Sequence, residues 1–324
     1  MSYRFTLAFD MRTPSFGARS EALYQAALDQ CAWADRLGFD ACIFMEHHAS
    51  EDGYLPSPIV MAAAAAARTE RIAITISALL LPLYHPVRAA EDMAVLDILS
   101  GGRLRLIVGA GYRDDEYAQF GLSLRDRARL MEDGIAVLKQ AWSGEPFEYG
   151  GRTIRVLPRP LQEPRPAIVM GGSSQAAAIR AARIADGFFP SNPALFEDYR
   201  QELARLGKPV PAPMPATVGV RPLFVHISEN PTRAWEAIRP HAAHDAGEYA
   251  RWGRGLTNLP YRETESADEL RQSGQYLVLT PDEAIHHARR MGGIGFKPLM
   301  GGMDPDLSWE SLDLFERCVL PALS

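Results

Sequence analysis

Three times along this chain a helix-like run ends at a glycine and a short apolar stretch begins within a few positions. Cys31–Leu37 ends at Gly38 before Phe39–Phe44, and Ala181–Asp186 ends at Gly187 before Phe188-Phe189-Pro190. Ala288–Met291 ends at Gly292-Gly293 before Ile294–Leu299. A glycine just past a helix takes the left-handed conformation that closes the last turn. Short apolar strands alternating with helices imply parallel strands joined by helical crossovers.

Filling the intervals gives eight candidate strands, near residues 4–10, 41–45, 72–78, 104–109, 167–170, 186–190, 218–226 and 295–300. Helices follow near 20–37, 57–68, 87–99, 126–142, 174–185, 194–206, 231–250 and 308–320. A further helix over 281–291 has Thr280 as its N-cap and Pro281 at the first helical position. The expected fold is α/β, a single (β/α)8 TIM barrel domain over residues 1–324, a length that suits about 250 barrel residues plus insertions. A doubly wound open sheet competes, but no G-x-G-x-x-G opens a helix after the first strand. One expected insertion is a hairpin near 147–156, alternating on both sides of Gly150-Gly151. The other is a lid-like region over 244–280, with Gly247, Gly253, Gly255, Gly274, Trp252 and Tyr261.

Charge argues against a nucleic-acid partner: 34 Lys and Arg stand against 40 Asp and Glu, and the cluster Arg125, Arg127, Arg129 alternates with Asp126. Cys31, Cys42 and Cys318 have neither CxxC pairing nor metal-ligand spacing, so three buried thiols are expected. The chain runs directly into Tyr3–Phe9 without a basic, apolar leader, and no stretch reaches about 18 uninterrupted apolar residues. The expectation is a cytoplasmic protein with no membrane partner.

The chemistry is expected where strands end. In barrels of this class polar residues at the carboxyl ends of strands face the active-site mouth. The second strand runs into Glu46-His47-His48, which offers a general base, a donor and an orienting carboxylate, or alternatively two capping or core histidines. Adjacent histidines point opposite ways in extended chain, which makes a shared metal ion awkward. His85 precedes Pro86 as an N-cap. The fourth strand leaves through Val108-Gly109-Ala110-Gly111-Tyr112, where the glycines would let a flat ring approach the backbone. The fifth ends Met170-Gly171-Gly172-Ser173-Ser174 at the start of a helix, an arrangement that either holds an anion on main-chain N–H groups or simply caps the helix.

Taken together, Glu46-His47-His48, Leu81-Pro82 with His85-Pro86-Val87-Arg88, Glu91-Asp92, Leu96-Asp97, Ser100-Gly101-Gly102-Arg103 and Phe120-Gly121 resemble the bacterial luciferase-like superfamily, densely over residues 35–125 and again over 158–190. The resemblance implies a barrel holding FMN or the deazaflavin F420 at its carboxyl-end mouth. It implies His47 as catalytic base with Glu46 beside the flavin, a non-proline cis peptide at Ser77-Ala78 under the ring, and phosphate contacts at Gly172 and Ser173. Where luciferase has a phosphate-binding arginine, a reactive cysteine and a glutamate, this chain has Ala110, Gly109 and Gly172; Arg113 is the nearest candidate to replace the arginine. These departures argue against light emission and long-chain aldehydes.

The expected activity is a flavin-dependent monooxygenase that takes reduced FMN from a separate reductase, since no nicotinamide fingerprint is present, and oxidises a small organic substrate with O2. An F420-dependent hydride-transferring oxidoreductase, a non-catalytic flavin-binding protein and a metal-dependent hydrolase are the alternatives. A homodimer is expected, with the alanine run Ala62–Ala67 a place for close helix packing between copies or within one.

Overall fold

The computed structural model describes residues 3–214, 222–254 and 267–323. In chain order the elements are β1 (Arg4–Phe9), α1 (Ser20–Arg36), β2 (Ala41–Phe44), α2 (Pro58–Ala66), β3 (Ala73–Leu79), α3 (Pro86–Leu99), β4 (Leu104–Val108), α4 (Asp114–Gln119), α5 (Arg127–Ala141), β5 (Phe147–Tyr149), β6 (Arg152–Ile154), β7 (Ile168–Gly172), α6 (Gln175–Ile184), β8 (Gly187–Pro190) and α7 (Leu195–Arg205). They continue with β9 (Phe224–Ile227), α8 (Pro231–Trp252), α9 (Ala267–Gln272), β10 (Tyr276–Leu279), α10 (Pro281–Met291), β11 (Gly293–Phe296) and α11 (Pro305–Leu314).

Seven strands form one parallel sheet in the order β11-β1-β2-β3-β4-β7-β8, with helices as the crossovers. The hairpin is present as β5 and β6, paired Tyr149 to Arg152. The cap on α10 is also as expected: the Thr280 side chain and Glu283 form a reciprocal capping box. Gly38 and Gly292 take positive φ after α1 and α10, whereas Gly187 is already the first residue of β8.

Two corrections concern the barrel. Among the described residues no eighth strand closes the sheet: β9 begins only at Phe224 and pairs in parallel with β10 as a separate ribbon. The described residues form a curled, parallel half-barrel of seven strands. The lid-like reading of 244–280 also fails for its described part, because α8 continues to Trp252 and the apolar run Tyr276–Leu279 is a strand whose partner lies some fifty residues upstream. Residues 218–221 of the expected strand, and Gly255 and Tyr261, lie outside the described residues.

Strand alternation explains why the sheet has two different faces. Leu7, Phe9, Cys42, Phe44, Ile74, Ile76, Leu106, Val108, Ile168 and Met170 are buried in the main hydrophobic core with the helices. Each such side chain contributes about 1.5–3 kcal/mol when removed from water. The other face carries Gly295, Thr6, Ala8, Ile43, Ser77, Ile107, Val169, Gly171 and Phe189, brought side by side by the strand register, and none of them is fully buried. A closed barrel fills that face with layers of branched side chains. Here glycine, alanine, serine and threonine alternate with Ile43, Ile107, Val169 and Phe189, so the face carries less bulk than that. Of the cysteines, Cys31 and Cys42 are buried as expected, but Cys318 is exposed, on the short wide turn Phe315–Val319 after α11.

His226, central in β9, is buried against Phe224, and burial pushes its imidazole down from 6.5 to about 4. Its folded form resists protonation, so the unfolded chain binds the extra proton between those two values and stability falls as pH drops through that window. The expected loss from pH 7 to pH 4 is about 3 kcal/mol. Urea titrations at several pH values should find this slope in the wild type and find it reduced by that amount in His226→Leu; an unchanged slope counts against the argument.

Candidate active site

The residues that follow β2 set the geometry of the mouth. Glu46, His47 and His48 are all buried, and they divide into two groups. The Glu46 carboxylate accepts from the Leu80 N–H at 2.6 Å and from the Tyr84 hydroxyl at 2.7 Å, and lies 2.9 Å from His48 Nε2. Every one of these partners is a donor, so the His48 ring donates to Glu46 in turn. Glu46 therefore ties the end of β2 to the turn that follows β3, and burial together with the Glu46 charge holds the Tyr84 hydroxyl well above its usual range.

His47 faces the other way. Its Nδ1 is 2.7 Å from Glu116 Oε1, and the same oxygen accepts from the His48 N–H at 2.9 Å. A carboxylate already accepting a backbone proton fixes the tautomer: Nδ1 carries the hydrogen and Nε2 is left free to hold or release a proton. Glu116 lies on α4, a short helix with three acids in its first turn, absent from the sequence-based element list. The His47 ring is enclosed by aromatic neighbours: Trp252 at 4.8 Å, Tyr54 at 4.9 Å, Tyr112 at 5.6 Å and Tyr249 at 6.1 Å between centroids.

Behind the aromatic group lies a network of charges. The Arg12 guanidinium sits over Trp252 (4.4 Å), Tyr54 (4.7 Å) and Tyr249 (4.9 Å), and pairs with Asp52. Its Nε lies 3.7 Å from Asp10 and 3.8 Å from Asp245. Lys297, just past β11, bridges Asp10 at 2.8 Å and Asp245 at 2.7 Å, and Tyr276 donates to Asp245. Burial alone would raise the Asp245 carboxyl, but Lys297 and Arg12 overcome it and hold it below the ordinary range. His244 hydrogen bonds the same Asp52 oxygen that Arg12 meets. The sequence reading named none of Arg12, Asp52, Tyr54, Glu116, Tyr249 or Lys297 as a site residue; Asp10 and Lys297 each directly follow a strand, a positional signal that could have found them.

The Ser77–Ala78 peptide is cis, and both residues are half-buried on the open face. The glycines of the strand ends serve closer packing than expected. A Cβ at Gly109 would lie 2.9 Å from the Ala78 Cβ, and one at Gly172 would lie 2.5 Å from the Ala177 Cβ. These two glycines let β4 meet the cis peptide and β7 meet the first turn of α6. Ala110 and Tyr112 are half-buried at the mouth, and Tyr117 donates to the Ala110 carbonyl at 2.5 Å. The Met170 side chain is in the core beneath the helices, so only its main chain faces the strand end. Gly171 lies on the open face; Ser173 is half-buried; Ser174 caps α6 by accepting from the Ala177 N–H. Arg113 cannot replace a phosphate-binding arginine, because it is buried, bonded to the His48 and Ala49 carbonyls, paired with Asp115 and packed 4.2 Å from the Trp252 ring. His85 occupies the N-cap of α3 but caps nothing with its ring, which meets Tyr149 edge to face.

Among the described residues no group of three His, Cys, Asp or Glu is arranged to hold a metal ion. No described helix is long and apolar enough to cross a membrane. A groove of about 320 Å³ between Leu81, Tyr84, Leu130 and Tyr149 lies on the outer helical layer, away from His47.

The sequence profile of the luciferase-like monooxygenases matches residues 6–295. This chain belongs to that family. Among its luciferase-like relatives is the oxygenase component of the flavin-dependent trigonelline monooxygenase of Acinetobacter baylyi, 29% identical over 51% of this chain and 48% of that protein. The chain spans about half the length, or less, of that and several other curated relatives. An F420-dependent glucose-6-phosphate dehydrogenase of Microbacterium testaceum is 28% identical over 91% of this chain and 92% of that protein. The oxygenating constituent of the 3,6-diketocamphane monooxygenase of Pseudomonas putida, solved with FMN, superposes with a TM-score of 0.70 at 21% identity, covering 99% of each chain. That likeness establishes the luciferase-like fold.

The luciferase-like site residues fit a flavin. The half-buried face at Ser77, Ala78 and Gly171 bears little side-chain bulk, so a planar ring can rest against it. The main-chain N–H groups at the start of the ten-residue helix α6 suit a phosphate tail.

Proposed function

We propose that this chain is the oxygenase component of a two-component monooxygenase that uses reduced FMN and O2 on a small organic substrate. The observation that carries the reading is the His47–Glu116 pair, enclosed by aromatic rings beyond the carboxyl end of β2. Bound reduced FMN would supply the two electrons and the place where O2 is activated. The balance is substrate, O2 and reduced FMN giving oxygenated substrate, water and FMN. Reduced FMN comes from a separate reductase.

The chain's own side chains do the rest. Glu116 orients the imidazole, His47 Nε2 holds or delivers the proton that the departing water needs, and Tyr54, Tyr112, Tyr249 and Trp252 keep bulk water from the reacting atoms. The cofactor contacts we assign are Ser77, Ala78, Gly109, Ala110, Tyr112 and the segment Met170–Ser174, through main chain at Met170, Gly109 and Gly172. Glu46 and His48 are assigned as supports rather than proton carriers, because their polar atoms hold each other, Tyr84 and Leu80.

F420-dependent hydride transfer is the second reading, favoured by the nearly full-length match to the Microbacterium dehydrogenase. A homodimer is the proposed assembly. Val60 on α2 and Val95, Ile98 and Leu99 on α3 are exposed, while Ala62, Ala65 and Ala66 pack within the monomer.

Titration of the purified protein with FMN, reduced FMN and F420 separates the readings. The expected result is preferred binding of reduced FMN and consumption of O2 when it is supplied; binding of F420 alone, without O2 uptake, would replace this proposal with the second.

A further inference from the structure

Burying a charge is costly, so a guanidinium enclosed by protein needs a reason for its place. Arg113, between β4 and α4, is 6% exposed. Its Nη1 donates to the His48 carbonyl at 2.9 Å and its Nη2 to the Ala49 carbonyl at 3.3 Å. Ala49 itself takes a positive φ, which residues other than glycine seldom adopt, so the two carbonyls belong to a turn that needs outside support. The guanidinium also pairs with Asp115 and lies 4.2 Å from the Trp252 ring. One flat fork therefore touches all three segments that enclose His47: the residues after β2, the first turn of α4 and the end of α8.

Its charge bears on the atom that orients His47. Arg113 Nη1 lies 3.7 Å from Glu116 Oε1, the same oxygen that faces His47 Nδ1 and accepts from the His48 N–H. The other oxygen, Oε2, is buried and has no hydrogen-bond partner among the described residues. Asp115 is exposed and shares its charge with water, whereas the Glu116 side chain is closed to it. Apart from His47, Arg113 is the one cation within ion-pair reach of Glu116 among the described residues. A buried carboxylate deprived of its cation takes up a proton rather than stay charged. As an acid, Glu116 can offer its O–H to His47 Nδ1, and the ring hydrogen then resides on Nε2, which can no longer accept a proton.

We infer that Arg113 is a positioning residue for proton transfer at His47, an inference that rests on reading His47 as the proton carrier of the flavin-dependent oxidation. Its charge keeps Glu116 an acceptor, and Glu116 keeps the ring hydrogen on Nδ1 and leaves Nε2 open. Arginine suits the place because a lysine brings the charge but cannot bond two carbonyls while lying flat on an indole.

The tautomer can be read without flavin or substrate, from the ring-nitrogen NMR shifts of isotope-labelled protein at about pH 8, where an ordinary imidazole is mostly neutral. The His47 signals are those lost in His47→Ala. In the wild type the Nδ1–H form should outnumber the Nε2–H form by about tenfold or more, a charged hydrogen bond's worth. Arg113→Met should cut that preference to about threefold or less, while Arg113→Lys, which keeps the charge, should hold it within about twofold of the wild type. A wild type with the hydrogen on Nε2, an R113M that keeps the wild-type preference, or an R113K that loses it overturns the inference. If R113M folds poorly, the wild type and R113K carry the test. Any of these failures spares the flavin reading, which O2 uptake with reduced FMN decides separately. A protein that shows the expected tautomers but binds no flavin loses that reading and keeps the control of His47 by Arg113.

Discussion

His47→Ala is expected to lower turnover on the order of 10²–10⁴-fold while changing the dissociation constant for FMN by less than about threefold, because a positioned general acid–base contributes in that range. The ring is held by one hydrogen bond, Nδ1 to Glu116, by edge contacts with three tyrosines and by a tilted contact with Trp252, so its removal leaves no buried charge unpaired beyond Glu116, which still accepts from the His48 N–H. Added imidazole should restore part of the lost rate, since it can occupy the vacated space and carry the same proton. Glu116→Gln should cost about tenfold in turnover, because the amide keeps the shape but no longer compels the Nδ1–H tautomer. Loss of FMN affinity as large as the loss of turnover would make His47 a binding residue instead.

What could be read from the sequence and what could not differ by the range of the signal. The Thr280 cap, the turn at Gly150-Gly151 and the strand that delivers Glu46-His47-His48 each lie within a few residues, and each formed as expected. Several motifs that carry the family resemblance do structural work far from His47. Arg103 reaches the carbonyls of Ala66, Thr69, Ile72 and Ser100, and Asp97 holds Gln162. The site's own partners are distant in the chain: Glu116 lies 69 positions beyond His47, and His244 lies 192 beyond Asp52. Pairs so far apart leave no periodicity to read. The glycines, by contrast, carry a short-range signal. A missing side chain announces that something comes close, and in the protein itself Ala78 and Ala177 approach Gly109 and Gly172. Counting apolar runs says nothing about partners: the 276–279 run pairs with β9, which lies beside β11, and among the described residues no ladder joins the two to the seven-stranded sheet.

Lys297→Met should be the most destabilising single substitution in the charge network, costing about 3–5 kcal/mol. Its ammonium is the direct partner of both Asp10 and Asp245, at 2.8 and 2.7 Å, and all three side chains are at most 5% exposed. With methionine there, the remaining cation near both carboxylates is Arg12, at 3.7 and 3.8 Å and already committed to Asp52. Two carboxylates would be left out of water with half a partner between them, and the Tyr276 hydroxyl satisfies only one Asp245 oxygen. The thermal midpoint should fall by roughly 10 °C. Adding Asp245→Asn in the same chain should recover a substantial part of the loss, because it removes one of the two stranded charges; by itself that substitution strands Lys297 less severely, since Asp10 remains. The non-additivity of the pair in a double-mutant cycle is the decisive number. A single-variant loss under about 1 kcal/mol, as an exposed ion pair would give, would mean that water reaches this network in solution.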